Sequence, residues 1–145
     1  MVARKRPAPS QPFSLRLPDD RRRALEEEAG RYRVAPRTLA QELIDEGLRM
    51  RRFPSLTFAV RGPRRAAVFA RAPRLRVSQA METVRDSSSS QEAAEDLALS
   101  VNELEQALDY YNAYKDEIDR EIEEDRRYSK AAEREWLQRQ PHPRS

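Results

Sequence analysis

The stretch Pro12-Phe13-Ser14-Leu15-Arg16-Leu17-Pro18 decides how the N-terminal part of the chain is expected to fold. Apolar and polar side chains alternate along it, which is the two-residue period of a strand with one buried face. One short strand has no neighbour to pair with, so we expect two copies of the chain to pair their strands antiparallel and form a homodimer. The dimer would bury the apolar face and present Ser14 and Arg16 on a two-stranded ribbon.

Two helices are predicted directly after this strand. Asp19 or Asp20 can cap the first helix. The second helix begins at about Pro36, because proline is favoured in the first turn, and ends at about Arg52, before Phe53-Pro54. Each helix has one apolar face, made of Ala24, Leu25, Ala29 and Tyr32 in the first and of Leu39, Leu43, Ile44 and Leu48 in the second. Residues 11–52 therefore form a strand-helix-helix unit.

The order of elements and the residues of this unit resemble the ribbon-helix-helix family of Arc- and MetJ-type repressors. The resemblance implies that Ser14, Arg16 and the position of Pro12 face bases in the major groove of operator DNA. It also implies that backbone N–H groups near Ala35 and Pro36 hold a phosphate at a helix N-terminus. The alternative is that the strand and the two helices pack in an ordinary core.

Length and composition limit the class of protein. With 145 residues, the chain holds one ordinary domain or two small ones, and 38% hydrophobic against 37% charged residues indicates a thin core dominated by helices. The expected fold class is mainly α with minor β. No apolar run reaches the length of a membrane span, and the absence of cysteine excludes disulfides and thiolate metal sites. We therefore expect a cytoplasmic protein without a membrane partner.

Charge is distributed unevenly along the chain. Residues 1–80 contain 19 Lys and Arg against 8 Asp and Glu, a net charge of +11, whereas residues 81–145 contain 9 against 17, a net charge of −8. A basic half suits phosphates and an acidic half suits a basic protein surface. Residues 1–10, with Arg4, Lys5 and Arg6, are predicted to be a disordered basic arm along the DNA backbone. The alternatives are that this arm is a solvated tail without a role, and that each half of the chain is simply solvated or pairs with the other half.

Residues 53–115 show a different pattern. Alternating residues over 56–70, with a turn at 61–64, predict a β-hairpin, and a helix is predicted over Val77–Val84. Ser89 with Glu92, and Ser100 with Glu103, have the spacing of capping boxes that open two more helices. The outline is that of a winged helix-turn-helix. The predicted exposed residues of its last helix are the polar set Asn102, Glu103, Glu105, Gln106 and Asp109, which favours protein contact over base reading.

A second resemblance covers about residues 53–122. It depends on Gln91-Glu92-Ala93-Ala94-Glu95-Asp96-Leu97 and, above all, on the Tyr110-Tyr111-Asn112-Ala113-Tyr114-Lys115-Asp116-Glu117-Ile118-Asp119 segment. These residues resemble a small bacterial domain family encoded beside PIN-like toxins, which includes some VapB-type antitoxins. The resemblance implies a winged helix-turn-helix-like module in a toxin-antitoxin operon.

Residues 116–145 are predicted to be a toxin-binding helical tail. The core face is expected to end near Tyr114, and the polar segment beyond it is expected to fray or to fold on a partner. The large apolar side chains of Tyr128, Trp136 and Leu137 stand out there as interface candidates. By analogy with VapB-type antitoxins, an arginine enters the carboxylate cluster of a PIN-like RNase toxin, the candidates being Arg126, Arg127, Arg134 and Arg139. The alternative is a solvated tail.

No catalytic constellation is recognisable. The single histidine, His142, lies between two prolines, and the carboxylates of Glu117, Glu121 and Asp125 are typical of a solvated helix face. We expect no catalysis, metal or cofactor. The predicted function is that of an antitoxin that neutralises a PIN-like RNase toxin and represses its own operon, in a dimer or in a larger hetero-oligomer with toxin. The alternatives are a stand-alone dimeric repressor and a structural adaptor.

Overall fold

Helices account for most of the residues that the computed structural model describes, which are 11–61 and 64–141. This part of the chain contains six helices and one two-stranded antiparallel sheet, which confirms the expected mainly α architecture with minor β. The elements in chain order are α1 Asp19–Tyr32, α2 Pro36–Arg52, β1 Leu56–Arg61, β2 Arg64–Phe69, α3 Val77–Asp86, α4 Ser90–Leu97, α5 Val101–Ala113 and α6 Lys115–Arg139. The predicted basic arm with Arg4, Lys5 and Arg6 lies outside the described residues, as does His142.

The chain divides into two compact units between Ile44 and Asp45, a boundary that falls within α2. In the first unit, residues 11–18 form neither helix nor strand in the single chain. Pro18 occupies the N-cap position of α1, and its carbonyl oxygen accepts a hydrogen bond from Arg22 N at 3.0 Å. The expectation that Asp19 or Asp20 caps this helix is wrong. Both carboxylates lie instead in the first turn, where the helix dipole favours negative charge.

The connection from α1 to α2 is closed by backbone hydrogen bonds. Arg33 adopts a left-handed conformation with φ 54°, and Val34 N donates to Ala29 O at 3.0 Å, so the last carbonyls of α1 are satisfied without glycine. Helix α2 then begins at Pro36 and ends at Arg52, as predicted. Proline fits the first helical position because its missing N–H would have no partner in the helix.

The second unit is built around α3, which contacts β2, α4, α5 and α6. The predicted hairpin is confirmed, with Leu56 opposite Phe69 and Arg61 opposite Arg64. One hydrophobic cluster joins these elements, and it consists of Phe53, Leu56, Ala67, Phe69, Val77, Ala80, Met81, Ala93, Ala94, Leu99, Leu104, Ala107, Tyr110, Ile118 and Ile122. The many alanines allow short helices to approach closely, which is how a chain with few large apolar residues forms a core.

Both capping sequences begin helices. Ser100 Oγ accepts from Glu103 N at 3.1 Å while Ser100 N donates to Glu103 Oε1 at 2.9 Å, which completes the predicted box at the start of α5. At α4 only half of the box forms: Ser89 Oγ accepts from Glu92 N at 3.1 Å, but the Glu92 carboxylate accepts from Ser88 N. Residues 98–100 connect the two helices, and Ala98 has a φ of 55°.

The core continues past the point where it was expected to end. The backbone leaves helical geometry at Tyr114, with φ −127° and ψ 39°, and α6 starts at the next residue. Ile118 and Ile122 on α6 are fully buried in the hydrophobic cluster. Helix α6 then runs without interruption to Arg139, although its last turns were expected to fray. Anchoring of the first turns on the core supplies the costly helix nucleus, which the isolated segment would lack.

Candidate interaction surfaces

The predicted DNA-reading stretch lies in solvent in the single chain. Phe13 is 85% exposed, Leu15 62% and Leu17 37%, and Ser14 and Arg16 are exposed between them. Pro36, at the first position of α2, is exposed as well. A β-ladder requires a second strand. In the described part of one chain, no strand pairs with these residues. The paired ribbon therefore stays a prediction, while the apolar surface that would drive the pairing is present.

Helix α2 carries a second exposed apolar surface. Leu39 is buried, but Leu43, Ile44 and Leu48, which share its face, are each half exposed or more. Exposed side chains of this size on one helix face are uncommon on a monomeric protein unless the surface binds a partner. The apolar residues that we expected to form the dimer core are thus exposed in the single chain, both in the first unit and along α2.

Seven of the fifteen arginines that the structure describes in the second unit form ion pairs with carboxylates. Arg64 Nη1 lies 3.0 Å from Glu124 Oε1, Arg76 Nη2 lies 2.9 Å from Asp125 Oδ2, and Arg65 pairs with Glu46. These ion pairs partly neutralise the positive charge near the hairpin turn, which makes the arginines there less available to bind a DNA backbone. Several pairs also join the basic half of the sequence to the acidic half, so part of the charge asymmetry is resolved within this unit.

The polar face predicted for α5 is smaller than expected. Glu103 is buried: Arg71 Nη2 donates to its Oε1 at 2.7 Å, and this guanidinium together with the Ser100 backbone N–H lowers the pKa of the Glu103 carboxyl to about 2. Gln106 is half buried and accepts a hydrogen bond from Ser55 N at 2.9 Å. The prediction of exposure is wrong for these two residues because both connect α5 to other elements. Asn102, Glu105 and Asp109 are exposed as predicted.

A polar cluster that sequence reasoning missed surrounds Arg49. Its Nη1 donates to Tyr110 OH and to Glu117 Oε2, both at 2.8 Å, and its guanidinium carbon lies 3.7 Å from the centre of the Tyr114 ring. Burial disfavours the guanidinium charge, but these hydrogen bonds outweigh it and raise the pKa of Arg49. Burial raises the pKa of Tyr110 too. The only signal in the sequence was the tyrosine-rich segment, which gives no indication of its partner on α2.

The carboxylates at 117, 121 and 125 are not simply solvated, contrary to expectation. They lie on the side of α6 that carries Ile118 and Ile122, so they face the body of the unit. Glu117 and Asp125 form ion pairs with arginines. Between them, Glu121 is partly buried, and this burial, reinforced by the Glu117 charge, raises the pKa of its carboxyl group to about 7. Charge patterning alone cannot separate such a position from a solvated one.

The C-terminal half of α6 carries the predicted toxin-binding residues. Tyr128 is 79% exposed, Trp136 60% and Leu137 55%. Arg126 approaches Glu82 at 3.5 Å and Arg127 pairs with Glu123 one turn earlier, whereas Arg134 and Arg139 are exposed. All of these candidates therefore lie on one continuous helix.

Two further properties concern the described residues as a whole. They contain no group of three or more His, Cys, Asp or Glu side chains placed to hold a metal ion. None of their helices combines the length and the apolar character that crossing a membrane requires. Comparisons with protein-family models, with curated proteins and with solved structures found no match.

Proposed function

We propose that the chain is an antitoxin of a type II toxin-antitoxin system, with operator DNA and a PIN-like RNase toxin as its two partners. The observation that carries the proposal is the exposed, alternating apolar stretch around Leu15, followed directly by two helices. A strand of this kind is stable only when it pairs, and a second copy of the same strand is the simplest partner. Pairing would leave Ser14 and Arg16 on the outer face of the ribbon.

The DNA-binding half of the proposal is consistent with the charge of the first unit. Residues 1–44 contain 10 Lys and Arg against 6 Asp and Glu, a net charge of +4. Arg4, Lys5 and Arg6 would add phosphate contacts that weaken as the salt concentration rises. Pro36 marks a helix N-terminus that is accessible to a phosphate. Dimers held together by toxin would bind adjacent operator sites more tightly through multivalency.

The toxin-binding half is supported by the exposed side chains of α6. Tyr128, Trp136 and Leu137 are large and apolar, and Arg126, Arg127, Arg134 and Arg139 provide positive charge around them. Aromatic residues and arginine contribute most strongly to protein interfaces. An acidic groove on the toxin would match this composition. A stand-alone dimeric repressor would also need the N-terminal DNA-binding surface, but it would not need the exposed side chains of α6.

The test is co-purification of the full chain with the product of its neighbouring gene, followed by an RNase assay. We expect a stable complex without RNase activity. A chain that ends at Arg127 should fold normally, because it keeps Ile118, Ile122 and the ion pairs of Glu124 and Asp125, yet it should fail to inhibit the RNase.

The position of this truncation matters. Ending the chain at Tyr114 would remove two core residues and would confuse unfolding with loss of the toxin-binding surface. Circular dichroism of the Arg127 truncation therefore serves as the control for folding. This truncation keeps Arg126 and Arg127, so full inhibition by it would refute the assignment of toxin binding to residues 128–139 of α6. The absence of any co-purifying nuclease would favour the stand-alone repressor.

A further inference from the structure

Helices α5 and α6 are separated by a single residue, Tyr114. With φ −127° and ψ 39°, this residue ends α5, and its carbonyl oxygen accepts a hydrogen bond from Ile118 N in the first turn of α6. Residues 101–139 contain neither glycine nor proline, and the neighbours of the break, Ala113 and Lys115, are both good helix formers. The local sequence therefore favours one continuous helix rather than a bend.

The bend is held by side chains from both sides of the break. Tyr111 OH donates to Asp119 Oδ1 at 2.6 Å. In a straight helix these two positions would lie about 12 Å apart along the axis. Arg49 on α2 contacts the Tyr114 ring, with its guanidinium carbon 3.7 Å from the ring centre, and donates to Glu117 Oε2 at 2.8 Å. Tertiary contacts thus impose the bend against the local preference.

Helix α6 occupies a defined binding site on the rest of the second unit. Ile118 and Ile122 are fully buried in the hydrophobic cluster, and α6 contacts both α3 and α5. Four ion pairs add to this interface: Arg49 with Glu117, Arg64 with Glu124, Arg76 with Asp125, and Glu82 with Arg126. In each pair the α6 residue follows the break and its partner precedes it. The site therefore recognises the side chains of α6, whichever copy of the chain supplies them.

We propose that two copies of the chain exchange α6. In each copy, α5 and α6 join through Tyr114 into one continuous helix, and α6 occupies the site on the other copy. The exchange keeps the burial of Ile118 and Ile122 and the four ion pairs, which then connect two chains. Only contacts next to the break change. Exchange of an identical element is a low-cost route to a dimer, because almost no new interface has to be formed.

This exchange is independent of the proposed function. It concerns the face of α6 that carries Ile118 and Ile122, not the exposed side chains assigned to the toxin. Co-purification of a toxin is a separate readout, so failure of the exchange and failure of the antitoxin proposal are distinguishable.

Two substitutions at the break should shift the equilibrium between monomer and dimer in opposite directions. Lys115→Pro suits the bent chain, because proline is favoured at the first position of a helix and keeps the preceding residue out of helical geometry. Inside a continuous helix it removes a hydrogen bond and clashes with the preceding turn, so the dimer should be lost. Tyr114→Ala removes the ring that Arg49 contacts and introduces the best helix former, so the dimer fraction should rise.

Sedimentation of the full-length chains after refolding from urea at high protein concentration measures the dimer fraction. Every chain carries Leu15→Asp, so that pairing of N-terminal strands does not contribute. Leu15 is exposed and lies in the first unit, which leaves the α6 site unchanged. We expect dimers in the parent, more in Tyr114→Ala and none in Lys115→Pro. Equal dimer fractions in the two variants, or no dimer in Tyr114→Ala, would overturn the proposal.

A distance within one chain distinguishes exchange from ordinary association, and it does not depend on the folding of the proline variant. The chain contains no cysteine, so spin labels can be attached at Asn102→Cys and Arg134→Cys, two exposed positions on α5 and α6. Labelled chain refolded with an excess of unlabelled chain reports only the distance within one copy. The continuous helix places these positions about 48 Å apart, whereas any bend brings them closer. A dimer that retains the shorter distance of the monomer would refute the exchange.

Discussion

At the scale of single residues, Glu121 has the environment with the clearest thermodynamic consequence. Its carboxyl group lies between Glu117 and Asp125 on α6 and faces Ser78 on α3, while Arg76 moderates the negative charge. Neither Ser78 Oγ nor Glu121 Oε2 makes a hydrogen bond of ordinary geometry within the described residues. Burial is the main cause of the raised pKa, and the adjacent carboxylates add to it.

The pH dependence of stability follows from this shift. With a pKa of about 7 in the folded protein and an ordinary value of 4.5, Glu121 binds its proton more tightly when the chain is folded. The free energy of unfolding should therefore fall as the pH rises from about 4.5 to about 7 and should then level off. Glu121→Gln cannot ionise and should be more stable than the parent at pH 8, by about 1 to 2 kcal/mol after allowance for partial exposure.

Urea unfolding between pH 4.5 and 8 measures this effect. Glu105→Gln, which removes the same charge from an exposed position on α5, is the control. Equal pH slopes for the parent protein and Glu121→Gln would show that the carboxyl is hydrated in solution.

At the scale of single elements, local signals in the sequence predicted most of the boundaries. The hairpin, the start of α2 at Pro36 and the capping box of α5 depend on residues within a few positions of each other, so they could be read from the chain alone. The burial of Ile118 and the hydrogen bonds of Arg49 could not, because each depends on helices far apart in sequence. The same difference holds for the candidate interaction surfaces. Their large apolar side chains could be identified from the sequence, whereas the ion pairs between individual arginines and carboxylates could not.

The N-cap of α5 provides a prediction at this scale. Ser100→Ala removes the acceptor for Glu103 N, and the expected loss is about 1 kcal/mol in the free energy of unfolding. The same substitution at Ser88, an exposed residue outside the helices, should change stability by only a few tenths of a kcal/mol. Thermal and urea unfolding of both variants would test this difference. Similar losses at the two positions would mean that the cap contributes nothing specific.

At the scale of the whole molecule, the proposed homodimer determines whether the chain can bind DNA. Leu15→Asp places a charge within the apolar surface that would be buried by strand pairing, so we expect both dimerisation and operator binding to be lost. Arg16→Ala, one residue away, should leave the dimer intact and lower the preference for operator over random DNA, by about 1 to 3 kcal/mol.

Sedimentation and a DNA-binding titration at one fixed salt concentration distinguish the two variants. Retention of a dimer by Leu15→Asp would exclude the paired ribbon, and unchanged operator preference in Arg16→Ala would exclude base reading by that residue.

The helix ends at Arg33 and Ala98 affect the unfolded chain as well as the folded one. Each adopts a left-handed conformation that glycine usually supplies, at a cost of about 1 kcal/mol per residue in the native state. With three glycines and ten prolines among 145 residues, however, the unfolded backbone has fewer conformations to lose on folding. The restricted conformations of the unfolded chain lower the entropy cost of folding, and this partly offsets the strain at these two turns.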